Sequence, residues 1–553
     1  MADLFVIEAP GKARQLQEIL KGIGVEGARV QATKGHLYSM PDRLTPLGID
    51  SGFREFARKL RDPEIGLRIR QEAQAADRVY IATDADQEGD VIAWDVAELI
   101  SDIHPEPWRV RLRGMDEDSV LEAINNPDPV RKRDAVAGRT RAIVDRMIGA
   151  VFSRDGVAVG RVGTALLGLV ASNPPAIDRL RLVAPASDGG RPWVAECDVR
   201  APITRQMATR LAAVRFPALD SARRTPAASI PPANMGDIMV RAGDDLDMSP
   251  KEAERSLQRL YEAGRMSYPR AGSRGISKSV LRKVGKVLAK SGYKFDEAVV
   301  AGKAASDVHD APYPIGPVEV QRDPRKQGQE EGLRTLVSRG LVRSGQAHET
   351  ELGVGAKAGR HLASNGFPAE VCDAVAALEW RREHGPRYPG QETWPESKVI
   401  ARRSDTVLLE AAVKAGLGRP STWASHIEAF MGRGLVDEDL NLTDKGREWI
   451  SASPPALLDP RISAAIESAC EKAVPGMMDD PSREPWEILA QRIVEALPAE
   501  IRKPLHAAVA SEPPHPKEDP VAFYRPTEGL DDMLAKARER TYAYGPRGPD
   551  LPQ

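Results

Sequence analysis

Across the first stretch of the chain, apolar positions alternate between two rhythms. "LFVIEAP" (4–10) opens with a short unbroken apolar run, the mark of a buried strand, and "GKARQLQEILKGIG" (11–24) follows as a helix closed by glycine. "RVYIATD" (78–84) is a second strand. The helix "DVIAWDVAELI" (90–100) comes next, with Ile92, Val96, Leu99 and Ile100 along one face. This alternation predicts a parallel sheet covered by helices. Ligands of such sheets bind outside the carboxyl ends of the strands, so Glu8 and the acids at 84–90 are expected in one crevice. Beyond position 126 helical rhythms dominate, broken by "RTPAASIPPANMG" (224–236) and "GPRYPGQETWPES" (385–397), with no internal repeat and no coiled coil. The tail from "SEPPHPKEDP" onward is rich in proline and charge, a composition expected to be poorly ordered.

Length and composition narrow the class. A chain of 553 residues is too long for one core and predicts about three or four domains. Hydrophobic content of 41% and charged content of 29% fit a soluble globular protein, and three isolated cysteines suggest a reducing compartment with the cytoplasm as the default. No apolar run reaches the ~18 residues of a membrane span, and the amino terminus lacks a basic-then-apolar signal layout. Cys197, Cys372 and Cys470 stand apart without a CxxC pair, which excludes a cysteine-rich zinc ribbon and a disulfide framework. The net charge of −2 decides nothing about nucleic acid, because binding depends on local patches. One such patch is "RKRDAVAGRTRAIVDRMIGAVFSR" (131–154), with seven basic residues against two acids and an apolar stripe of Ile143, Met147, Ala150 and Val151.

The densest chemistry lies in "DADQEGD" (84–90), where Asp84, Asp86, Glu88 and Asp90 crowd together. Its spacing nearly matches a calcium-binding EF-hand loop, but position twelve is Asp95 and the preceding element is a strand. A second reading is a polar loop that caps a helix, with Asp90 as N-cap. The third is a divalent-metal site of hard oxygen ligands, which suits Mg²⁺ with room for water and phosphate.

"FVIEAPGKARQL" (5–16), "ATKGHLYSMP" (32–41) and "IATDADQEGDVIAW" (81–94) together resemble the Toprim domain of type IA DNA topoisomerases. The later chain agrees in order. "VAGRTRAIVDRMIGAVFSR" with "VAVGRVGTALLGLV" resembles the block lining the family's single-strand groove. "IPPANMG" and "SPKEAERSLQRLYEAGRMSYPRAGSRGIS" resemble the approach to the catalytic tyrosine, and "SDVHDAPYPIGP" the histidine motif after it. "GLGRPSTWASHIEAFMGRGLV" and "LNLTDKGREWI" resemble later blocks. The resemblance implies a multidomain α/β and α+β toroid. Its parts are a Rossmann-like Toprim domain (1–125), a single-strand-binding helical domain (126–175 and 386–500), an arch (176–235 and 318–385), a tyrosine domain (236–317) and a tail (501–553).

The implied reaction cuts one strand through a 5′-phosphotyrosine, passes DNA and reseals. It relaxes negatively supercoiled or catenated DNA as a monomer, and no GxxxxGK[ST] nucleotide loop is present. Tyr268 is the nucleophile by this reading. An ordinary phenol, pKa near ~10, needs cationic help. Pro269 favours extended backbone before it, which turns Arg270 to the same side as Tyr268. Glu8 is either the proton donor to the leaving oxygen or a metal ligand, and its place among acids is expected to raise its pKa. Lys12 opens a helix as an anion site, or is a plain surface lysine. Asp84, Asp86 and Glu88 are assigned to Mg²⁺, and His309 to ordering the site. His36, Arg141, Asp145, Arg146, Arg161, Arg419, Ser421 and Thr422 are assigned to the DNA strand, with Ser421 equally readable as a helix cap.

Several positions depart from the family pattern. Gln87 stands for an arginine, Asp90 for a glutamate, Asp95 for a histidine, Gly163 for a glutamine, and Ala271 and Gly272 for Thr and Asp. The departures suggest a divergent branch, such as one carried by a mobile element, and favour one alternative: a relative that binds single strands without cutting them. The tail lacks zinc-binding modules but places Lys536, Arg538 and Arg540 among Tyr542 and Tyr544, a pattern suited to stacking on single-stranded bases and equally to a disordered tail.

Overall fold

A computed structural model describes residues 2–512 except 155, 221–222, 227–229, 301–309, 386, 473–476, 479 and 481. His309 and the tail's cations and tyrosines lie outside the described residues.

The predicted parallel sheet forms. The strand Asp3–Ile7, buried at every position, lies between Arg29–Ala32 and Arg78–Ile81, pairing Val6 with Gln31 on one side and Ile81 on the other. Trp108–Arg109 continues the parallel run, and Asp128–Pro129 closes the edge antiparallel. Apolar residues on both faces explain the unbroken run in the sequence: Phe5 and Ile7 face one core with Leu16 and Leu20, while Leu4 and Val6 face another with Ile92 and Val96. The glycine-closed helix spans Ala13–Gly22, after a single 3₁₀ turn at Pro10–Lys12. Lys12 therefore sits at the helix boundary.

The helix Gln87–Leu99 packs on the long helix Lys132–Phe152, the basic patch read from sequence. The two come so close at Gly138 that a methyl group there would strike Val91. Basic residues of this patch are largely spent inside the protein. Arg139 lies over the Trp486 ring at 4.5 Å and pairs with Glu55 at 2.8 Å.

A second, antiparallel sheet has six strands in the order Arg224–Pro226, Glu349–Leu352, Arg381–Glu383, Trp193–Asp198, Asp178–Ala184 and Lys398–Ala401. Trp193 and Trp380 centre its core. Its last strand lies in the range that sequence reading gave to the helical domain. Conversely Gln329–Ser344, read as arch, packs on the helices Met235–Leu246 and Pro250–Glu262. The reason is apolar: Leu333 and Val337 join the core of Met239 and Leu260, away from the arch sheet. Among the described residues no helix is long and apolar enough to cross a membrane.

Candidate active site

Glu8 follows directly on the first strand, and Asp84 and Asp86 follow Arg78–Ile81 at the same sheet edge. Four features hold the acids of the loop in place. Asp86, not Asp90, caps the helix Gln87–Leu99, accepting from the Gly89 N–H at 2.8 Å. Thr83 Oγ1 donates to the Gly89 carbonyl at 2.6 Å. Gly89 fits so tightly beneath the loop that a Cβ would collide with the Asp84 carbonyl.

The fourth feature is Arg109, 2% exposed. It donates to the carbonyls of Ile81, Thr83, Val110 and Asp84, and pairs with Asp90 at 3.1 Å. Arg111 pairs with Asp90 from the other side at 3.0 Å. Asp90 is therefore a structural anion, and the mutual repulsion of the loop acids is offset by guanidinium groups from the next strand, Trp108–Arg109, and the segment just after it. Sequence reading missed Arg109. The signal was present in "WRVRLRG" (108–114), whose alternation puts arginines on one face of a strand beside an acidic loop.

Tyr268 reaches this edge from the second half of the chain. Its N–H donates to the Arg113 carbonyl at 2.8 Å, and the neighbouring Ser267 N–H to that of Tyr313 at 2.9 Å. The ring meets Tyr261 edge-on at 5.4 Å, and Tyr261 OH is tied to the Leu112 carbonyl at 3.1 Å. So held, Tyr268 OH donates to Asp86 Oδ2 at 2.7 Å. Lys12, buried, pairs with Asp84 and lies 4.8 Å from the Tyr261 ring, which removes the surface-lysine reading. Arg270 stands 4.0 Å from both Asp84 and Glu254. The segment "IPPANMG" supports the turn beyond: Asn234 Nδ2 donates to the Gly272 carbonyl at 3.0 Å, and the Met235 N–H to that of Ala271 at 3.1 Å.

Burial, with Asp84 and Asp86 adding, pushes Glu8 up to about 7, as its strand-end position predicted. Burial likewise pushes the Tyr268 phenol well above its ordinary value, with the negative charges of Asp86 and Asp84 adding. Burial works against the charge of Arg270, but Tyr268, Asp86 and Asp84 outweigh it and bind its proton more tightly.

Glu88 turns elsewhere. It accepts from His36 Nε2 at 3.0 Å and from Arg419. Burial alone would raise its pKa, yet these partners hold it down to about 2. Among the described residues no three acidic, histidine or cysteine side chains meet as a metal cage, so the triad Asp84, Asp86 and Glu88 does not converge. Asp84 and Asp86 remain as a pair, and beside them Glu8 Oε2 is buried without a hydrogen-bond partner. Two carboxylates suit a hydrated Mg²⁺, which commonly takes one or two.

The arginines assigned to DNA divide. Arg141, Arg161 and Arg419 converge on Glu467, at 2.6, 3.0 and 3.4 Å. Arg161 also pairs with Asp145 at 2.7 Å. Gln87 joins the group, its Oε1 accepting from Arg141 at 2.8 Å and Arg419 at 3.2 Å. Arg146 lies apart, donating to the carbonyls of Leu47, Pro41, Arg43 and Pro46. It anchors that loop and stands apart from the three arginines gathered on Glu467. Thr422, not Ser421, holds the N-cap position of Trp423–Gly432, with no side-chain cap bond; its hydroxyl accepts from the Arg419 N–H at 3.1 Å. Nothing in the sequence marked Glu467, which lies 326 positions from Arg141.

Residues 3–112 match the Toprim domain model and 130–351 the DNA topoisomerase model, more than half of the chain together. The chain is 22% identical to a plasmid DNA topoisomerase I of Xylella fastidiosa, over 78% of this chain and 73% of that one. It is also 22% identical to DNA topoisomerase 1 of Aquifex aeolicus, over 86% and 96%. With DNA topoisomerase 1 of Salmonella typhimurium it shares 25% identity, over 78% of this chain and 58% of the relative. The solved full-length topoisomerase I of Thermotoga maritima superposes with a TM-score of 0.57 over 89% of each chain at 17% identity, a likeness of fold. The architecture is accordingly the multidomain α/β toroid.

Proposed function

The chain belongs to the type IA DNA topoisomerase family, and from that premise we propose that it cleaves and reseals one DNA strand through Tyr268, needing Mg²⁺ and no ATP. The observation that carries this reading is the 2.7 Å hydrogen bond from Tyr268 to Asp86, which unites the phenol with the acid cluster of the Toprim sheet.

The phenol oxygen attacks a backbone phosphorus, and the bond from that phosphorus to the 3′ oxygen breaks. The phosphodiester energy is kept in a 5′-phosphotyrosine, which the freed 3′-hydroxyl later attacks. One proton moves in each direction. The phenol gives its proton to the acid cluster that already accepts its hydrogen bond, and Glu8, poised near neutrality, gives one to the 3′ oxygen. Lys12 and Arg270 flank the cluster and steady the negative charge that grows on the phosphate. A divalent cation held by Asp84 and Asp86, when bound, supplies further positive charge for backbone phosphates.

Arg141, Arg161 and Arg419 supply the single-strand contacts, with Asp145 and His36 orienting them through Arg161 and Glu88. Ser421 and Thr422 lie beside Arg419. His309 takes the site-ordering role that its motif implies. We place the protein in the bacterial cytoplasm, acting as a monomer on single-stranded segments of negatively supercoiled DNA.

Negatively supercoiled plasmid incubated with Mg²⁺ and no ATP tests the proposal. Relaxation, with a denaturant-trapped covalent link at a 5′ end that Tyr268→Phe abolishes, is the expected result. The burial of Tyr268 favours the alternative, a strand binder that does not cut. Binding by the wild type without any trapped link would establish that alternative.

A further inference from the structure

The helix Lys278–Lys290, "KSVLRKVGKVLAK", carries five cations and no acid in a protein of net charge −2. Its apolar side is fully used: Val280, Leu281, Val284 and Leu288 are buried in a core with Ile276, Tyr313 and Val342. The opposite side is exposed, and on it Lys278, Arg282, Lys286 and Lys290 follow one another at four-residue spacing. Such a spacing sets successive cations about 6 Å apart along one stripe. Lys283, beside the stripe, pairs with Glu122 on the Toprim side. Among the described residues the other four have no acidic partner.

A stripe like this gains nothing for folding, since like charges at four-residue spacing destabilise a helix. It is suited to a polyanion. We propose that this face holds the sugar–phosphate backbone of double-stranded DNA adjoining the cleavage site. Two features favour duplex over single strand. Besides the cations, the exposed residues of this helix are Ser279 and Ala289, so it offers no aromatic ring on which an unpaired base could stack. The helix is also rigid and about 18 Å long, a length over which duplex DNA presents about ten phosphate charges. The helix lies ten residues after Tyr268 and is fastened to the Toprim domain through Lys283, so a duplex on it runs next to the site.

The inference rests on the cleavage reading and is tested separately from it. Duplex affinity is measured against salt for the wild type, for Arg282→Ala/Lys286→Ala, and for Lys445→Ala/Arg447→Ala, an exposed pair on another helix. Each phosphate contact contributes about 0.9 to the salt slope, so the first double variant is expected to lower the slope by about two and the control to leave it alone. Cleavage of a short single-stranded oligonucleotide is expected to be unchanged in both. A slope equal to wild type in the first variant overturns the duplex face, whether the stripe is simply solvated or takes an acidic protein. Failure of the wild type to cleave the oligonucleotide overturns the cleavage reading instead.

Discussion

Tyr268 and Asp86, 182 positions apart, share a 2.7 Å hydrogen bond in a buried site where the phenol is the donor and the carboxylate the acceptor. The contact holds the phenol proton and aims the ring at the acid loop, the posture that the proposed nucleophile would take before DNA arrives. A bond to a charged acceptor contributes about 1.5–3 kcal/mol. Tyr268→Phe is therefore expected to lose all covalent attachment to DNA and to melt a few degrees lower while keeping its fold. Melting curves and a denaturing gel of trapped complexes check both. A variant that still forms the link would move the nucleophile elsewhere.

Glu8 gives a pH signature. Its folded pKa of about 7 lies above its ordinary 4.5, so the folded protein binds the proton more tightly than the unfolded chain. Stability is lost as pH rises from 4.5 through 7, and none of the loss occurs in Glu8→Gln. In metal-free buffer Glu8→Gln is expected to melt above wild type at pH 8, with the advantage shrinking as pH falls below 7 and gone near 4.5. An advantage constant with pH would mean that Glu8 is not the titrating group.

The loop has no room for a side chain at position 89. Gly89→Ala forces a methyl group against the Asp84 carbonyl, which is backbone and cannot swing aside. Overpacking of this kind costs about 1–3 kcal/mol. Its displacement of Asp84 and Asp86 is expected to reduce Mg²⁺-dependent cleavage more than single-strand binding, read by trapped complexes and by gel shift.

Arg109 is the hidden brace of the site. Arg109→Ala strands four carbonyls and leaves Asp90 with Arg111 alone, and removing one partner of a buried pair costs about 3–5 kcal/mol. Arg109→Lys cannot span the same acceptors and is expected to fall between wild type and alanine in thermal melting. Equal stability of all three would show that the loop holds itself.

Gln87 accounts for one departure from the family pattern. Its carbonyl oxygen accepts from Arg141 and Arg419, so Gln87→Arg sets a third guanidinium against two others. The family-like residue is expected to lower both the melting temperature and single-strand affinity. An increase in affinity would show that those arginines give way to bound DNA.

Local patterns accounted for much of this protein. The apolar run at 4–7, the helical face of Ile92, Val96 and Leu99, and the strand-end place of Glu8 and Asp84 follow from periodicity and sheet geometry, which act over a few residues. The motifs around Tyr268 and the acid loop named the family, because their chemistry is written in short segments. Partner choice was not local. Glu88 turned to His36 and Arg419, Arg146 to four carbonyls of one loop, and Arg141 to Glu467, and nothing near them in the chain says so. A charged side chain leaving water takes the nearest group that can satisfy it. Which group is nearest depends on how distant helices and strands pack, and that was decided only when the whole chain folded.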